Sequence, residues 1–214
     1  MRPLAQNDGT WLGSIVDGVV GLMDVIGPYG AGLAIALENV FPPIPSEVIL
    51  PTAGLAAGRG AFALWEAILW TTVGSVVGAL ALYGLGALLG ADRLRRAADR
   101  IPLVSGEDVD KTVAWFDKHG GRAVFFGRFV PGIRSLISIP AGIVRMPIGK
   151  FLLLTGSGSL LWNTLFVLLG WFLGERWHVI EPYLGVVENV VLAVIVIAVV
   201  WFVVVRVRAA RASR

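Results

Sequence analysis

The sequence predicts an all-α integral membrane protein: an inverted repeat of a re-entrant helical hairpin plus a transmembrane helix, with an extra C-terminal transmembrane helix. Three observations lead to this fold class. The composition is far from that of soluble proteins, two apolar segments are interrupted by prolines, and the two halves match weakly. Hydrophobic residues make up 56% of the 214 residues, whereas charged residues make up 15%. A soluble domain usually carries about 25% charged residues.

Hydropathy divides the chain into seven segments of a single membrane domain, 1–214. In order, these are an N-terminal helix (10–27), a re-entrant hairpin (30–58), a transmembrane helix (61–90), a cytoplasmic linker (91–122), a second re-entrant hairpin (123–144), a second transmembrane helix (148–174) and a C-terminal transmembrane helix (183–207). Residues 11–26 contain Asp17 and Asp24, so the sequence leaves open whether this segment spans the membrane. We expect no removable signal peptide.

The two hairpins are predicted from prolines inside apolar segments. Prolines at 42, 43, 45 and 51 interrupt residues 30–58, and Pro131, Gly132 and Pro140 interrupt residues 123–144. Proline removes a backbone donor, and an unsatisfied backbone group in hydrocarbon costs several kcal/mol. Such breaks are tolerated only where protein or a watery cavity surrounds them. We therefore expect re-entrant hairpins whose turns lie at Pro43, Pro45, Pro131 and Gly132.

The two halves match at nearly constant offsets. The pattern Phe-x-Pro, nine residues, Ala-Gly begins at Phe41 and again at Phe129, which is an offset of 88 residues. In the spans that follow, Gly86 and Gly170 correspond at an offset of 84 residues. Because a hairpin returns to its own side and a span crosses once, the second copy must lie inverted relative to the first. Inverted repeats with broken helices are typical of transporters whose site lies at the repeat interface.

The distribution of basic residues predicts the orientation. The linker 91–122 contains seven Lys and Arg residues, and the C-terminal tail contains Arg206, Arg208, Arg211 and Arg214. The connection 175–183 contains Arg176 alone. Basic residues near span ends favour the cytoplasm. We expect the linker and the C-terminus to be cytoplasmic, the first hairpin to enter from outside and the second from inside.

Four charges lie inside the predicted hairpins: Glu38, Glu47, Arg128 and Arg134. Each would cost roughly 2.5–3.5 kcal/mol at a bilayer centre, so exposure to lipid without a partner is improbable. Acids of one hairpin are expected to pair with arginines of the other. Arg128 and Arg134 flank Pro131-Gly132 and carry planar groups that match a phosphate. Glu38 and Glu47 are candidates for carrying a proton, the expected coupling ion. A static set of interhelical salt bridges is the alternative.

Composition and motif checks argue against an enzyme. The chain has no cysteine and two histidines, which excludes disulfides, thiol nucleophiles and Cys- or His-rich metal sites. We expect no metal, no cofactor and no catalytic residue. The pattern Gly156-Ser157-Gly158-Ser159 lacks the first glycine of the intramembrane-protease motif Gly-x-Ser-Gly, and no base is at hand for a serine. The net charge of +3 is too small to indicate nucleic acid as a partner.

Two motifs resemble the signatures of a known family. The first is Glu38-Asn39-x-x-Pro42-Pro43-Ile44-Pro45-Ser46-Glu47 followed by Ala53-Gly54, and the second is Phe126-x-Arg128-Phe129-x-Pro131-Gly132-x-Arg134 followed by Ala141-Gly142 and Met146. Together they resemble the DedA family of the VTT-domain superfamily over roughly residues 30 to 175. Some bacterial members have Pro-Gly-Asp, with a longer spacer, where this chain has Pro45-Ser46-Glu47.

The resemblance implies a bacterial inner-membrane protein that returns undecaprenyl phosphate across the membrane for cell-wall synthesis. The family's two acids and two arginines carry onto Glu38, Glu47, Arg128 and Arg134. The leading hypothesis is a proton-coupled flippase for this lipid. An uncoupled phospholipid scramblase and a structural protein that braces a partner complex are the alternatives. Gly74 and Gly78 would permit close helix packing, within the chain or between copies in a homo-oligomer.

Overall fold

The computed structural model describes residues 11–40, 46–98 and 106–173, and every regular element in them is an α-helix. The predicted all-α class is therefore confirmed. Pro43 and Pro45, the part of the linker at 99–105, the helix predicted at 183–207 and the C-terminal tail lie outside the described residues.

Eight helices follow one another in these residues. They are α1 (Trp11–Ile26), α2 (Pro28–Val40), α3 (Ser46–Gly58), α4 (Leu64–Ala98), α5 (Gly106–Gly127), α6 (Ile133–Leu136), α7 (Ser138–Ile143) and α8 (Ile148–Leu173). Within the described part of the chain, α4 and α8 are the two helices long and apolar enough to cross a membrane.

The two long helices, α4 and α8, bury several polar side chains and expose many large apolar ones. Thr71 and Ser75 of α4 and Thr155, Ser159 and Asn163 of α8 are all buried. Large apolar side chains are exposed on the same two helices, at Val73, Val77, Leu85, Leu88, Leu153, Leu160, Leu161, Leu165 and Leu169. An exposed apolar surface of this kind is stable against lipid and unstable in water. This distribution of side chains is that of a membrane protein.

Helices α4 and α8 lie side by side and run antiparallel. Asn163 Nδ2 donates a hydrogen bond of 3.0 Å to Ser75 Oγ near the middle of both helices. Closer to the end of α4, the ring of Tyr83 packs on that of Phe151, and the Tyr83 hydroxyl donates to the Met146 carbonyl at 2.6 Å. The C-terminal half of α4 therefore lies beside the first turns of α8.

Helix α4 is interrupted near its C-terminal end, at Gly90. The backbone there has φ 65° and ψ 170°, a conformation that glycine adopts without the steric cost that a Cβ would add. The transmembrane helix was predicted to end at this glycine. The helix resumes beyond it and continues through the basic residues Arg93, Arg95 and Arg96 to Ala98, into the segment predicted as a linker.

The two predicted hairpin segments differ in construction. The first consists of α2 and α3, which end and begin on either side of the prolines at 42, 43 and 45. The second begins with α5, which is unbroken from Gly106 because no proline separates its amphipathic first half from its apolar end. After Gly127 the chain turns, and Gly132 adopts φ 76° before the short helices α6 and α7.

Glycines allow α3 to cross α8, and α7 to cross α4, with their backbones in direct contact. A Cβ added to Gly170 of α8 would overlap the carbonyl oxygen of Pro51 in α3, and one added to Gly86 of α4 would overlap that of Ile139 in α7. Any larger residue at these positions would force the helices apart, so the small side chains determine which helices can meet.

The reciprocal contacts follow the same pattern. A Cβ on Gly54 of α3 would overlap the carbonyl oxygen of Val167, and one on Gly142 of α7 would overlap that of Tyr83. On α4, Gly74 lies against Gly32 of α2, and Gly78 lies against Ala36 and Asn39 of the same helix. The small-residue face of Gly74 and Gly78 is thus used for packing within the chain.

These crossings predict a strong difference between two glycines of α4. Gly86→Ala should destabilise the protein by ~2 kcal/mol, because the methyl group overpacks a backbone contact. In a chain of this size that corresponds to a fall of roughly 4–8 °C in the apparent melting temperature. Gly84→Ala is the matched control, because a Cβ there meets nothing within 4 Å. Equal melting temperatures for both variants in detergent would contradict the close crossing.

Candidate functional site

The candidate site is a buried cluster of charged and polar side chains between the two halves of the chain. Its charged members are Glu38 of α2, Arg134 of α6 and Arg128, which follows the end of α5. They are exposed to only 5%, 4% and 2%, respectively. Charges are almost never buried to this degree unless they are paired or functional.

Glu38 and Arg134 form an ion pair, in which Arg134 Nη2 donates to Glu38 Oε2. The two residues are 96 positions apart, so the pair joins the first predicted hairpin to the second. Beside it, the Ser135 hydroxyl donates to Asn39 Oδ1 at 3.0 Å. Two adjacent residues of α2 therefore contact two adjacent residues of α6, which fixes the relative position of these helices.

Arg128 lies in the same cluster but has no carboxylate partner among the described residues. Its Nη2 donates to Ser138 Oγ at 2.9 Å and to Thr155 Oγ1 at 3.3 Å, and its Nε contacts no acceptor. Arg128 is close enough to Arg134 and Glu38 for their charges to act on it. The cluster of three ionisable groups thus carries one more positive than negative charge.

Glu47, in the first turn of α3, lies at the edge of the cluster. It is half-buried, and within the described segments it makes no ion pair or side-chain hydrogen bond. Its charge acts on that of Glu38, so the two carboxylates lie near each other. The structure therefore brings all four predicted charges to one region, with only Glu38 and Arg134 in direct contact.

The predicted turn residues of the second hairpin can also be located. Pro131 and Gly132 are exposed and immediately precede α6. The positive φ of Gly132 reverses the chain so that Arg134, two residues later, points inward and is buried. The counterparts in the first hairpin, Pro43 and Pro45, lie outside the described residues.

A chain of polar side chains extends from the ion pair and was not predicted as part of the site. Asn39 Nδ2 donates to the carbonyl oxygens of Ile35 at 3.2 Å and Ser75 at 3.5 Å, and Ser75 Oγ accepts the bond from Asn163. The side-chain oxygen Oδ1 of Asn163 and the hydroxyl of Ser46 are buried without a partner in the described residues. The sequence signal that could have revealed these polar contacts is the presence of Ser75 and Asn163 within apolar spans.

No metal site accompanies this cluster in the described part of the chain, where no three His, Asp or Glu side chains come together. The ligands that the cluster suits are anions. Guanidinium groups donate two parallel hydrogen bonds to a carboxylate or a phosphate, and these bonds are stronger where water is excluded. The fold and the site together define an integral membrane protein with a buried charge cluster between its two halves.

Comparison with known proteins identifies the family. The VTT domain matches residues 44–172, which is more than half of the chain. The chain belongs to the VTT-domain family, which includes the protein named DedA of Escherichia coli. The resemblance drawn from the two motifs is thereby confirmed. No solved structure is significantly similar to the chain.

Three relatives are similar over most of their length. A protein of Lactococcus lactis subsp. cremoris named alkaline phosphatase-like protein is 41% identical over 83% of this chain and 85% of its own. The undecaprenyl phosphate transporter A of Staphylococcus aureus is 37% identical over 79% of this chain and 85% of its own. The protein of the same name from Bacillus subtilis is 33% identical over 87% and 93%, respectively.

The buried ion pair predicts a non-additive effect of substitution. Glu38→Gln should destabilise the protein by about 3–5 kcal/mol, because it leaves the Arg134 charge buried without its carboxylate. Adding Arg134→Gln should restore part of that loss, since the Arg134 charge that had lost its carboxylate is then removed. The measurement is the apparent melting temperature of both single variants and the double variant.

The control for this experiment is the ion pair between Arg95 and Asp110, which is about half exposed and spans 3.1 Å. Arg95→Gln should change the melting temperature little, because exposed pairs are screened by solvent. Strictly additive losses for Glu38→Gln and Arg134→Gln would show that the two side chains do not interact.

Proposed function

We propose that the protein transports undecaprenyl phosphate across the bacterial inner membrane, as a flippase that recycles this carrier for cell-envelope synthesis. The observation that carries the proposal is the buried Arg128, which has hydroxyl partners but no carboxylate partner in the described residues. A buried charge without a counter-charge costs several kcal/mol. A phosphate bound between Arg128 and Arg134 would supply the missing negative charge.

The names of two relatives support the choice of lipid. The proteins of Staphylococcus aureus and Bacillus subtilis are both named undecaprenyl phosphate transporter A, and this chain aligns with most of each. In the proposed complex the guanidinium groups of Arg128 and Arg134 hold the phosphate. The prenyl tail remains in lipid against the exposed apolar surface of the helices.

The helix crossings support the inverted repeat on which this mechanism depends. Gly54 and Gly142 differ by 88 positions, and their contacts Val167 and Tyr83 differ by 84. The contact of Pro51 with Gly170 and that of Ile139 with Gly86 obey the same two offsets. Each predicted hairpin thus packs on the transmembrane helix of the other half in an equivalent way. In this proposal both hairpins are re-entrant, and the phosphate site lies between them.

Proton coupling is proposed for the two carboxylates. Glu38 is held by Arg134, whereas Glu47 is half-buried beside it and makes no ion pair in the described segments. A proton on Glu47 would relieve its repulsion with Glu38, and a proton on Glu38 would release Arg134 for the phosphate. The membrane orientation proposed for this cycle has the C-terminus in the cytoplasm, as the basic residues predict.

The phosphate site predicts that binding and stability respond in opposite ways to one substitution. Arg128→Met keeps the aliphatic stem that packs on Gly158 and removes a charge without a carboxylate partner. Its melting temperature should stay equal or rise, whereas its affinity for undecaprenyl phosphate should fall at least ~tenfold, because a charge-assisted hydrogen bond is lost. Arg128→Lys should bind with intermediate affinity. Unchanged binding by folded Arg128→Met would refute the phosphate site.

Coupling predicts a separate effect for Glu47. In proteoliposomes with a pH gradient, Glu47→Gln should abolish gradient-driven accumulation of undecaprenyl phosphate in one leaflet while leaving its binding intact. Glu66→Gln, a half-buried acid at the start of α4, is the control and should transport normally, because the glutamine oxygen can still accept the hydrogen bond from Ala63 N. If Glu47→Gln still equilibrates lipid between leaflets and the wild type ignores the gradient, the uncoupled scramblase is the correct alternative. A lower melting temperature of Glu47→Gln, with unchanged gradient-driven transport by the protein that remains folded, would favour the structural role.

A further inference from the structure

A second cationic site lies at one end of the helix bundle, separate from the buried cluster. There, the second half of α5, the connection 144–147 and the first turns of α8 line an open cavity of about 700 Å³. Its charged lining consists of one acid, Asp117, and four bases, Lys118, Arg122, Arg145 and Lys150. This is the end at which α4 carries its basic residues, as the contact of Tyr83 with Met146 shows.

The four bases have no carboxylate within ion-pair distance in the described residues. In contrast, Arg95 pairs with Asp110, and Lys111 pairs with Glu107. Arg95 and Lys111 are thus neutralised, whereas the four bases around the cavity are not. Four like charges around one concave surface repel one another and create a positive potential that favours an anion.

The backbone at Arg145 gives independent evidence for a role of its side chain. Arg145 has φ 50°, the one positive φ among the described non-glycine residues. The bonds from Arg145 N to Gly142 O and from Met146 N to Ala141 O, each 3.0 Å, form a Schellman motif at the end of α7. Glycine is favoured at this position of the motif. The backbone therefore bears a cost for an arginine that the turn itself does not require.

Lys150 packs against α5 at Gly121. A Cβ on Gly121 would lie 3.2 Å from Lys150 Cε and 3.5 Å from Lys150 Nζ, so the lysine side chain lies across this glycine. Its ammonium group is therefore close to the helix that also carries Lys118 and Arg122. Arg145, in the connection before α8, lines the same cavity.

We propose that this cavity binds the phosphate-bearing headgroup of an anionic membrane lipid. A lipid is favoured over a soluble phosphate by the apolar surface beside the charges. Phe126, which lines the cavity, is 64% exposed, and Ile148 and Leu153 on the first turns of α8 are 55% and 71% exposed. Basic pockets next to lipid-facing helices recognise anionic headgroups in this way. The site does not depend on transport and uses none of the four charges proposed for it.

The test uses the full-length protein carrying Arg128→Met, which removes the buried phosphate site from the measurement. The probes are short-chain phosphatidylglycerol and phosphatidylcholine, with binding measured by native mass spectrometry. We expect phosphatidylglycerol to bind roughly tenfold more tightly than phosphatidylcholine, because each basic residue contributes to headgroup attraction. The double variant Arg122→Gln, Lys150→Gln should lose this preference. Arg59→Gln, the same change of charge at the connection between α3 and α4, should retain it. An unchanged preference in the Arg122 and Lys150 double variant would overturn the proposal.

A further variant separates binding from folding. Arg145→Gly should keep or raise the melting temperature, since glycine suits the positive φ, and should weaken phosphatidylglycerol binding several-fold. Unchanged binding by Arg145→Gly would exclude this side chain from the site and overturn the argument drawn from its backbone.

Glycerol 1-phosphate distinguishes the source of the phosphate. Weak competition is expected for a lipid site, whereas competition as strong as that of phosphatidylglycerol would assign the cavity to a soluble anion.

Discussion

The ion pair between Glu38 and Arg134 imposes the central constraint on this structure. Both groups are almost fully excluded from solvent, so neither can be left without the other at tolerable cost. Helix α2 and the short helix α6 must therefore stay within hydrogen-bond reach, although 96 positions separate the partners. The neighbouring bond between Ser135 and Asn39 adds a directional restraint. The polar contacts that reach Ser75 and Asn163 then extend this centre into both long helices.

The glycine crossings provide the frame in which this pair can form. Direct backbone contact at Gly86 and Gly170 brings α7 against α4 and α3 against α8. Dispersion contacts at such crossings act at short range and tolerate little displacement. The charge cluster has the opposite effect on stability, because Arg128 is a buried positive charge without a carboxylate partner in the described residues. Stability is thus provided at the crossings and is reduced at the site, a division typical of functional centres.

Much of the site was predictable because charged residues in apolar sequence are conspicuous. Glu38, Arg128 and Arg134 were identified from the cost of burying them, and the break at Gly90 coincides with a predicted helix end. The unequal pairing was not predictable, since sequence spacing does not reveal which acid meets which arginine. The polar contacts of Asn39 and Ser75 depend on how each helix is rotated about its axis. The hydrophobic pattern of these apolar helices does not show which face points inward. The continuity of α5 was also missed, because the change from polar to apolar composition near Arg122 resembled a boundary.

On α4 and α8, polar side chains are buried and large apolar ones are exposed to lipid. This arrangement determines which positions of the sequence can change during evolution. Outward-facing leucines such as Leu160 and Leu165 can exchange with other aliphatic residues, since lipid accepts any of them. The helix crossings offer no such freedom, because a Cβ on Gly86 or Gly170 would overlap the backbone of the helix packed against it. Neutral drift will therefore accumulate on the lipid-facing surface and spare these glycines. Among diverging copies of this chain, the glycines at the crossings should change less than the outward-facing leucines.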